Sequence, residues 1–197
     1  MHLKKIPRSP DGNDSPLGLK SDGKGFVFKF HIGDDYVVGS KMPDSKIVGS
    51  NHDDFIKSGY GDDILNGGAG NDLISGGGGR DILKGGAGAD TFLFWGVLDA
   101  PDHIRDFSHT AGDKIALSTE FIFTKLDKAA RTEFVSGLAA SNFVVGESAK
   151  DRDDHIVYNK ATGALYYDAD GNGSGAAVQF ASLKAGTSLS ASDFYLL

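Results

Sequence analysis

The sequence has no cysteine, no apolar run of bilayer-spanning length and no apolar segment near its start that would make a cleavable export signal. Without cysteine there is neither a disulfide framework nor a thiolate metal site, so extra stability must come from elsewhere. A membrane helix needs about 18 or more consecutive apolar residues, which excludes a transmembrane segment. The opening stretch MHLKKIPRSPDGNDSPLGLK carries Lys4, Lys5 and Arg8 without the apolar region that must follow such charges in a secretory signal. Positive charge is also scarce: 20 Lys and Arg against 27 Asp and Glu leave a net charge of −7. Nucleic acid and anionic membranes are therefore not the expected partners, and cations are. Hydrolytic signatures are missing too. His103 and His109 lie outside any H-E-x-x-H helix, and no G-x-S-x-G occurs, so no enzymatic activity is expected.

Glycine, by contrast, is abundant, with 28 in 197 residues. Glycine loses more backbone freedom on folding than any other residue, so a glycine-dense segment stays disordered unless something holds it. From Gly49 the chain repeats every nine residues as GSNHDDFIK, SGYGDDILN, GGAGNDLIS, GGGGRDILK and GGAGADTFL. The sixth position is Asp54, Asp63, Asp72, Asp81 and Asp90, and the eighth is Ile56, Leu65, Ile74, Leu83 and Phe92. A flexible linker has no reason to keep an aspartate and a large apolar residue in fixed phase.

The spacing predicts six residues of turn and a three-residue strand centred on the apolar position, two units closing one coil. Residues 18 apart then stack at roughly the 4.7–4.9 Å separation of neighbouring strands. The apolar residues point inward, and the turns form two columns at opposite edges. Stacked turns also stack aspartates, and like charges that close repel unless a cation lies between them. Residues 49–93 hold seven aspartates against Lys57, Arg80 and Lys84, a net of −4. Carboxylates and carbonyls offer oxygen only, which suits Ca2+ with its 6–8 oxygens, suits Mg2+ less and zinc least. The expected pairs are Asp54 with Asp72, Asp72 with Asp90, and Asp63 with Asp81. Carbonyls are expected from Gly59, Gly61, Gly67, Gly68, Gly70, Gly76, Gly77, Gly79, Gly85, Gly86 and Gly88. Asp53, Asp62 and Asn71 are expected to face solvent.

Around the repeats, residues 1–25 read as a flexible arm and GFVFKFHI (25–32) as a capping strand, so the roll is taken as 26–95. Upstream, GDDYVV sets Asp35 nine residues before Asp44, but Asp44 is ten before Asp54, which leaves the phase of those units open. Residues 96–197 read as a β-rich domain, with strands in DHIRDF, DKIAL, DDHIVYNK, GALYYD and AAVQF and one helix in KLDKAARTEFVSGL. Asp102 and Asp106 are candidates to cap a turn column by binding an ion near Asp81 or Asp90. Asp168, Asp170 and Asn172 match the start of an EF-hand loop, but Gln179 stands where its closing Glu belongs, so a polar hairpin turn is the alternative. Tyr166, Tyr167 and Trp95 read as core rather than as an aromatic binding surface.

The repeat GGxGxDxUx resembles that of the RTX calcium-binding proteins. GADTFLF, DHIRDF, GDKIALS and TGALYYDADGNGSGAAVQFASL resemble the C-terminal region of bacterial RTX exoproteins, serralysin-type proteases among them. The final ASDFYLL resembles the uncleaved signal of type I secretion. The resemblance covers about residues 33–197 and implies a mainly β chain: a parallel β-roll of nonapeptide repeats followed by a β-rich region that carries the secretion signal. It further implies Ca2+ as the bound ion, a type I secretion apparatus as partner, an extracellular location and folding on calcium binding after export. In relatives a catalytic domain precedes these elements; Met1 and the short stretch before the repeats lead us to expect none here. The alternatives are a calcium-folded module of an extracellular enzyme and a matrix or adhesion component with a surface or polysaccharide partner.

Overall fold

The computed structural model describes residues 20–21, 26–29, 36–38, 45–96, 100–118 and 136–197. Within the repeats, β1 to β4 are followed by strands that alternate between two sheets. The first four are β1 (Lys20–Ser21), β2 (Phe26–Lys29), β3 (Tyr36–Val38) and β4 (Ser45–Val48). Then come β5 (Phe55–Tyr60), β6 (Ile64–Ala69), β7 (Leu73–Gly78), β8 (Ile82–Ala87) and β9 (Thr91–Phe94). The even-numbered strands β4, β6 and β8 pair in parallel in one sheet, and β3, β5, β7 and β9 in the other. Leu65 lies opposite Leu83 and Ile56 opposite Ile74, the 18-residue stacking that the repeat implies. Between the sheets Ile47, Ile56, Leu65, Ile74, Leu83 and Phe92 form a column at 0% exposure.

The strands β5 to β8 have six residues, twice the expected three. The ladder skips one residue and resumes: Lys57 pairs with Ser75 and Gly59 with Gly77 on either side of Ser58. The repeat's glycines thus belong to the strands as well as to the turns.

Upstream, the roll continues through β2, β3 and β4. The pairs Phe28–Ile47 and Val37–Ile56 are 19 apart in sequence, whereas Ile47–Leu65 is 18 apart. One extra residue therefore lies between β3 and β4. Lys46 stands opposite Ile64, so Ser45 occupies the place in line with Asp63, and the Ser45 N–H donates to Asp63 Oδ1. The sequence count put the extra residue in the ten-residue step from Asp44 to Asp54, whereas the register puts it before Ser45; Asp35 and Asp44 themselves lie outside the described residues. The expected arm is also corrected at one point: Lys20–Ser21 pairs antiparallel with β2.

Downstream, β10 (Asp102–Ile104) and β11 (Lys114–Leu117) add to the two sheets in parallel with β8 and β9. They are followed by β12 (Ser136–Gly137), β13 (Phe143–Val145), β14 (Ile156–Asn159), β15 (Ala164–Tyr167), β16 (Val178–Ser182) and β17 (Phe194–Leu196). The antiparallel run β14, β15 and β16 joins the first sheet through β10, and β17 lies between β11 and β12 in the second. Ile104, Ile115, Phe180 and Phe194 extend the apolar column, so neither sheets nor core break at the boundary expected near residue 95. Phe94 packs edge-on against Phe180 with ring centroids 5.3 Å apart. The expected helix falls outside the described residues except at its last three, where Ser136–Gly137 is strand and Leu138 is buried in the core. Among the described residues no helix is long and apolar enough to cross a membrane.

The C-terminal acidic residue does not face solvent. Asp193 has a side chain at 0% exposure, with His109 Nδ1 2.6 Å and Lys114 Nζ 3.7 Å from its Oδ1. Its other oxygen accepts from the Ser190 N–H. Asp193 and Phe194 are thus held within the fold, while Ser192 and Leu197 are exposed.

Candidate metal centre

Each repeat delivers its aspartate just before a strand, on a residue whose main-chain N–H points toward the next coil. That N–H is answered by the aspartate one coil on. The Asp54 N–H donates to Asp72 Oδ1 at 2.9 Å, and that of Asp72 to Asp90 Oδ1 at 3.0 Å. On the opposite edge the Asp63 N–H donates to Asp81 Oδ1 at 2.8 Å. The three expected pairs are therefore in register.

Both columns run past the last repeat. The Asp81 N–H donates to Asp102 Oδ1 at 2.9 Å, and the Asp90 N–H to Asp113 Oδ1 at 3.0 Å. Asp102 thus extends the Asp63–Asp81 column, as one of the two sequence alternatives had it. Asp113 was missed, because its step of 23 residues from Asp90 breaks the repeat; the signal was the DKIAL strand, which sets an aspartate before an apolar residue as each repeat does. Asp106 has a different task. Its two carboxylate oxygens accept from the Gly85 and Gly86 N–H groups, both at 3.0 Å, and so close the end of the turn ladder.

The column aspartates are buried, with Asp54, Asp63, Asp72, Asp81, Asp90, Asp102 and Asp113 all at 3% exposure or less. Asp72 Oδ2 and Asp81 Oδ2 are buried without a hydrogen-bond partner. Burial pushes the Asp72 and Asp81 carboxyls up to about 7 from the ordinary 3.8, neighbouring carboxylates adding to the shift and main-chain N–H donors opposing it. Asp102 is pushed up to about 8, by burial first and then by the Asp81 charge. Asp90 and Asp113 are raised for the same leading reason. An ionised carboxylate in such a place is costly unless a cation offsets it.

The glycines make room for this arrangement in two ways. At the first position of the repeat a side chain would strike the aspartate: a Cβ on Gly67 would stand 2.0 Å from Asp72 Oδ2, and Gly76 and Gly85 meet Asp81 and Asp90 alike. At the second and fourth positions the backbone itself demands glycine. Gly59, Gly61, Gly68, Gly70, Gly77, Gly79, Gly86 and Gly88 all have positive φ, and a Cβ on Gly88 would stand 1.9 Å from the Gly70 carbonyl oxygen. Each turn therefore holds main-chain carbonyls against the coil above. The Gly76 carbonyl has another partner as well, the Ser58 hydroxyl at 2.6 Å.

This donor set fits a hard cation. Among the described residues no three His, Asp or Glu side chains converge as a metal cluster. An ion between coils would therefore be held by paired aspartates and take the rest of its shell from carbonyls, which matches calcium's preference for many oxygens in a tolerant geometry. The exposed Asp53, Asp62 and Asn71 stack as well: the Asn71 N–H donates to Asp53 Oδ1 at 2.6 Å and the Arg80 N–H to Asp62 Oδ1 at 2.8 Å.

The EF-hand-like stretch is a separate place. Asp168 and Asn172 line a pocket of about 440 Å³ with Tyr166 and Glu147. Asp170 Oδ2 accepts from the Gly175 N–H of its own loop at 3.0 Å, and the Asp170 N–H donates to Asp168 Oδ1 at 3.2 Å. His103 Nδ1 lies 3.0 Å from Ser182 Oγ, and His109 pairs with Asp193, so neither belongs to the aspartate columns. Trp95 is exposed, with Lys57 Nζ 5.2 Å from its ring centroid, and Tyr166 is half-buried.

The fold and its columns define a calcium-binding parallel β-roll. The family model of the RTX calcium-binding nonapeptide repeat matches residues 48–83 and 57–92, so this segment belongs to the RTX repeats and its ion is Ca2+. The comparison with curated proteins finds no match. Among solved structures the chain is similar to the AlgE6R3 subunit of the Azotobacter vinelandii mannuronan C5-epimerase. That likeness has 27% identity over 83% of this chain and 80% of the other, with a TM-score of 0.45.

Proposed function

We propose that this calcium-binding chain is a secreted, non-enzymatic protein, exported unfolded by a type I secretion apparatus and folded by Ca2+ outside the cell. The observation that carries the reading is the pair of buried columns in which Asp72 and Asp81 keep orphaned oxygens. Ionised and without a cation, these carboxylates oppose the fold, and the glycines add their entropy. When bound, calcium supplies the positive charge that the columns lack. Extracellular modules typically bind Ca2+ with Kd of about 10⁻⁴ to 10⁻³ M, so the ion is effective outside the cell and scarce within it. The stabilisation per site follows RT ln(1 + [Ca2+]/Kd).

Circular dichroism during a calcium titration tests the folding step. The β signal is expected to rise with Ca2+ and not with Mg2+ at equal concentration; a protein equally folded in chelator would refute it. Export is tested by expressing the chain with and without residues 191–197 beside a type I apparatus, with appearance in the medium expected only for the full chain.

A further inference from the structure

We propose that the pocket on the outer face of the C-terminal strands binds a small organic cation, an alkylguanidinium or alkylammonium. Its floor is Val157 and Tyr166, register partners on β14 and β15. The residues on either side of them, Ile156, Tyr158, Leu165 and Tyr167, belong to the core, so the alternation of a strand turns Val157 and Tyr166 to the opposite face. Val157 is nevertheless only 1% exposed. The loops that share the pocket with it, 147–149 and 168–177, therefore stand over this face.

The pocket is fixed by contacts between loops. Gly171 has a φ of +62°, and a Cβ there would stand 2.4 Å from the Arg152 carbonyl oxygen, so the loop after β15 lies directly on the loop before β14. The Asn172 N–H donates to the Asp151 carbonyl at 2.9 Å, and Asn172 Nδ2 donates to the Lys150 carbonyl at 3.2 Å. With its amide nitrogen used in this way, Asn172 keeps its Oδ1 as an acceptor. A cavity set before the ligand arrives spares the cost of ordering it.

Charge decides the sign of the ligand. The charged side chains that line the pocket are both acidic: Asp168, at 5% exposure, and Glu147 at the exposed rim. No ion pair among the described residues engages either one. Burial raises the Asp168 carboxyl, the Asp170 N–H opposing this and the Asp170 carboxyl adding to it. A cation in the pocket would offset that charge. Size then separates an organic ion from a metal. Calcium gathers about 6–8 oxygens, yet among the described residues no three acidic or His side chains converge. The volume of about 440 Å³ lies in the range of small-molecule sites. Val157, Ala149 and Ala177 offer apolar contact to an aliphatic stem, and the face of a Tyr ring attracts a cation.

The test uses the full chain in saturating calcium and isothermal titration calorimetry with three probes: agmatine, glutarate and glucose. Agmatine is expected to bind, and the dianion and the neutral sugar are not. Asp168→Asn keeps the Oδ1 acceptor for the Asp170 N–H and removes the charge, and it should weaken agmatine binding at least about tenfold. Glu147→Gln, at an exposed loop position where folding is not at stake, should weaken it about threefold. Asp153→Asn, which removes one negative charge from an exposed position outside the pocket, should leave it unchanged. Circular dichroism against calcium, run on every variant, separates this inference from the folding mechanism. Absence of agmatine binding by the folded protein, or equal losses for Asp153→Asn and Asp168→Asn, would overturn it. So would equal binding of glutarate or glucose, or displacement of agmatine by calcium added beyond saturation of the roll.

Discussion

Aspartate 72 sits between Asp54 and Asp90 in its column, with its N–H donated to one and its Oδ1 accepting from the other. An ion on either side of it would draw on the same carboxylate. Replacing Asp72 by Ala is therefore expected to weaken the calcium response more than Asp54→Ala, read as a shift of the titration midpoint in circular dichroism. Asp113→Ala should weaken it as well, although Asp113 lies outside the repeat; no change would show that the column ends at Asp90. A pH dependence follows from the same carboxyls. In the metal-free fold Asp72 and Asp81 hold protons up to about 7 and Asp102 up to about 8, whereas the unfolded chain releases them near 3.8. The metal-free fold thus has this support in full below about pH 4 and loses it progressively as pH rises from there to 7–8. Calcium needs the ionised carboxylates, so its effect runs the other way. The expected result is more β signal at pH 5 than at pH 8 in chelator, and a calcium midpoint that moves to higher concentration as pH falls below 7. Identical signals at the two pH values in chelator would show that these carboxyls do not control folding.

Among the strands, the apolar eighth position carries the packing. Leu65 is fully buried, with Ile47 and Leu83 as its register partners on either side. Leu65→Ala is expected to cost about 2–5 kcal/mol in calcium, because the coils on either side cannot close over the gap without breaking register. Chemical denaturation at fixed calcium measures it. Strand length and phase were harder to foresee. The repeat predicted short strands because glycine reads as turn, yet positive-φ glycines such as Gly59 and Gly77 still pair across the ladder. Similarly, the sequence left the phase around Asp44 open, and the register assigns the column place to Ser45. A one-residue insertion leaves little trace in composition, but hydrogen-bonded pairing cannot absorb it without shifting everything on one side.

For the molecule as a whole, the two sheets run unbroken from the repeats into the C-terminal half, and the strand β17 joins the second one beside β11. Thermal unfolding in calcium is therefore expected as one transition for both halves, and Phe194→Ala, which empties a fully buried site beside Phe143, should lower the midpoint of that single transition. Two separated transitions in calorimetry would mean that the region after residue 95 folds by itself.

The nine-residue period was legible without coordinates because it is a strong physical constraint: only a coil that closes every 18 residues keeps aspartate and aliphatic side chains in phase. From that followed the parallel roll, the inward apolar column, the three aspartate pairs and calcium as the ion. Asp102 stayed one of two alternatives, and Asp113 went unseen, since their place depends on how irregular connections of 21 and 23 residues return to the same column. The role of Asp106 as an acceptor for turn N–H groups and the inward Asp193 likewise depend on packing between distant segments. Local pattern records the period of a coil; where a non-repeating chain rejoins that coil is set by long-range pairing.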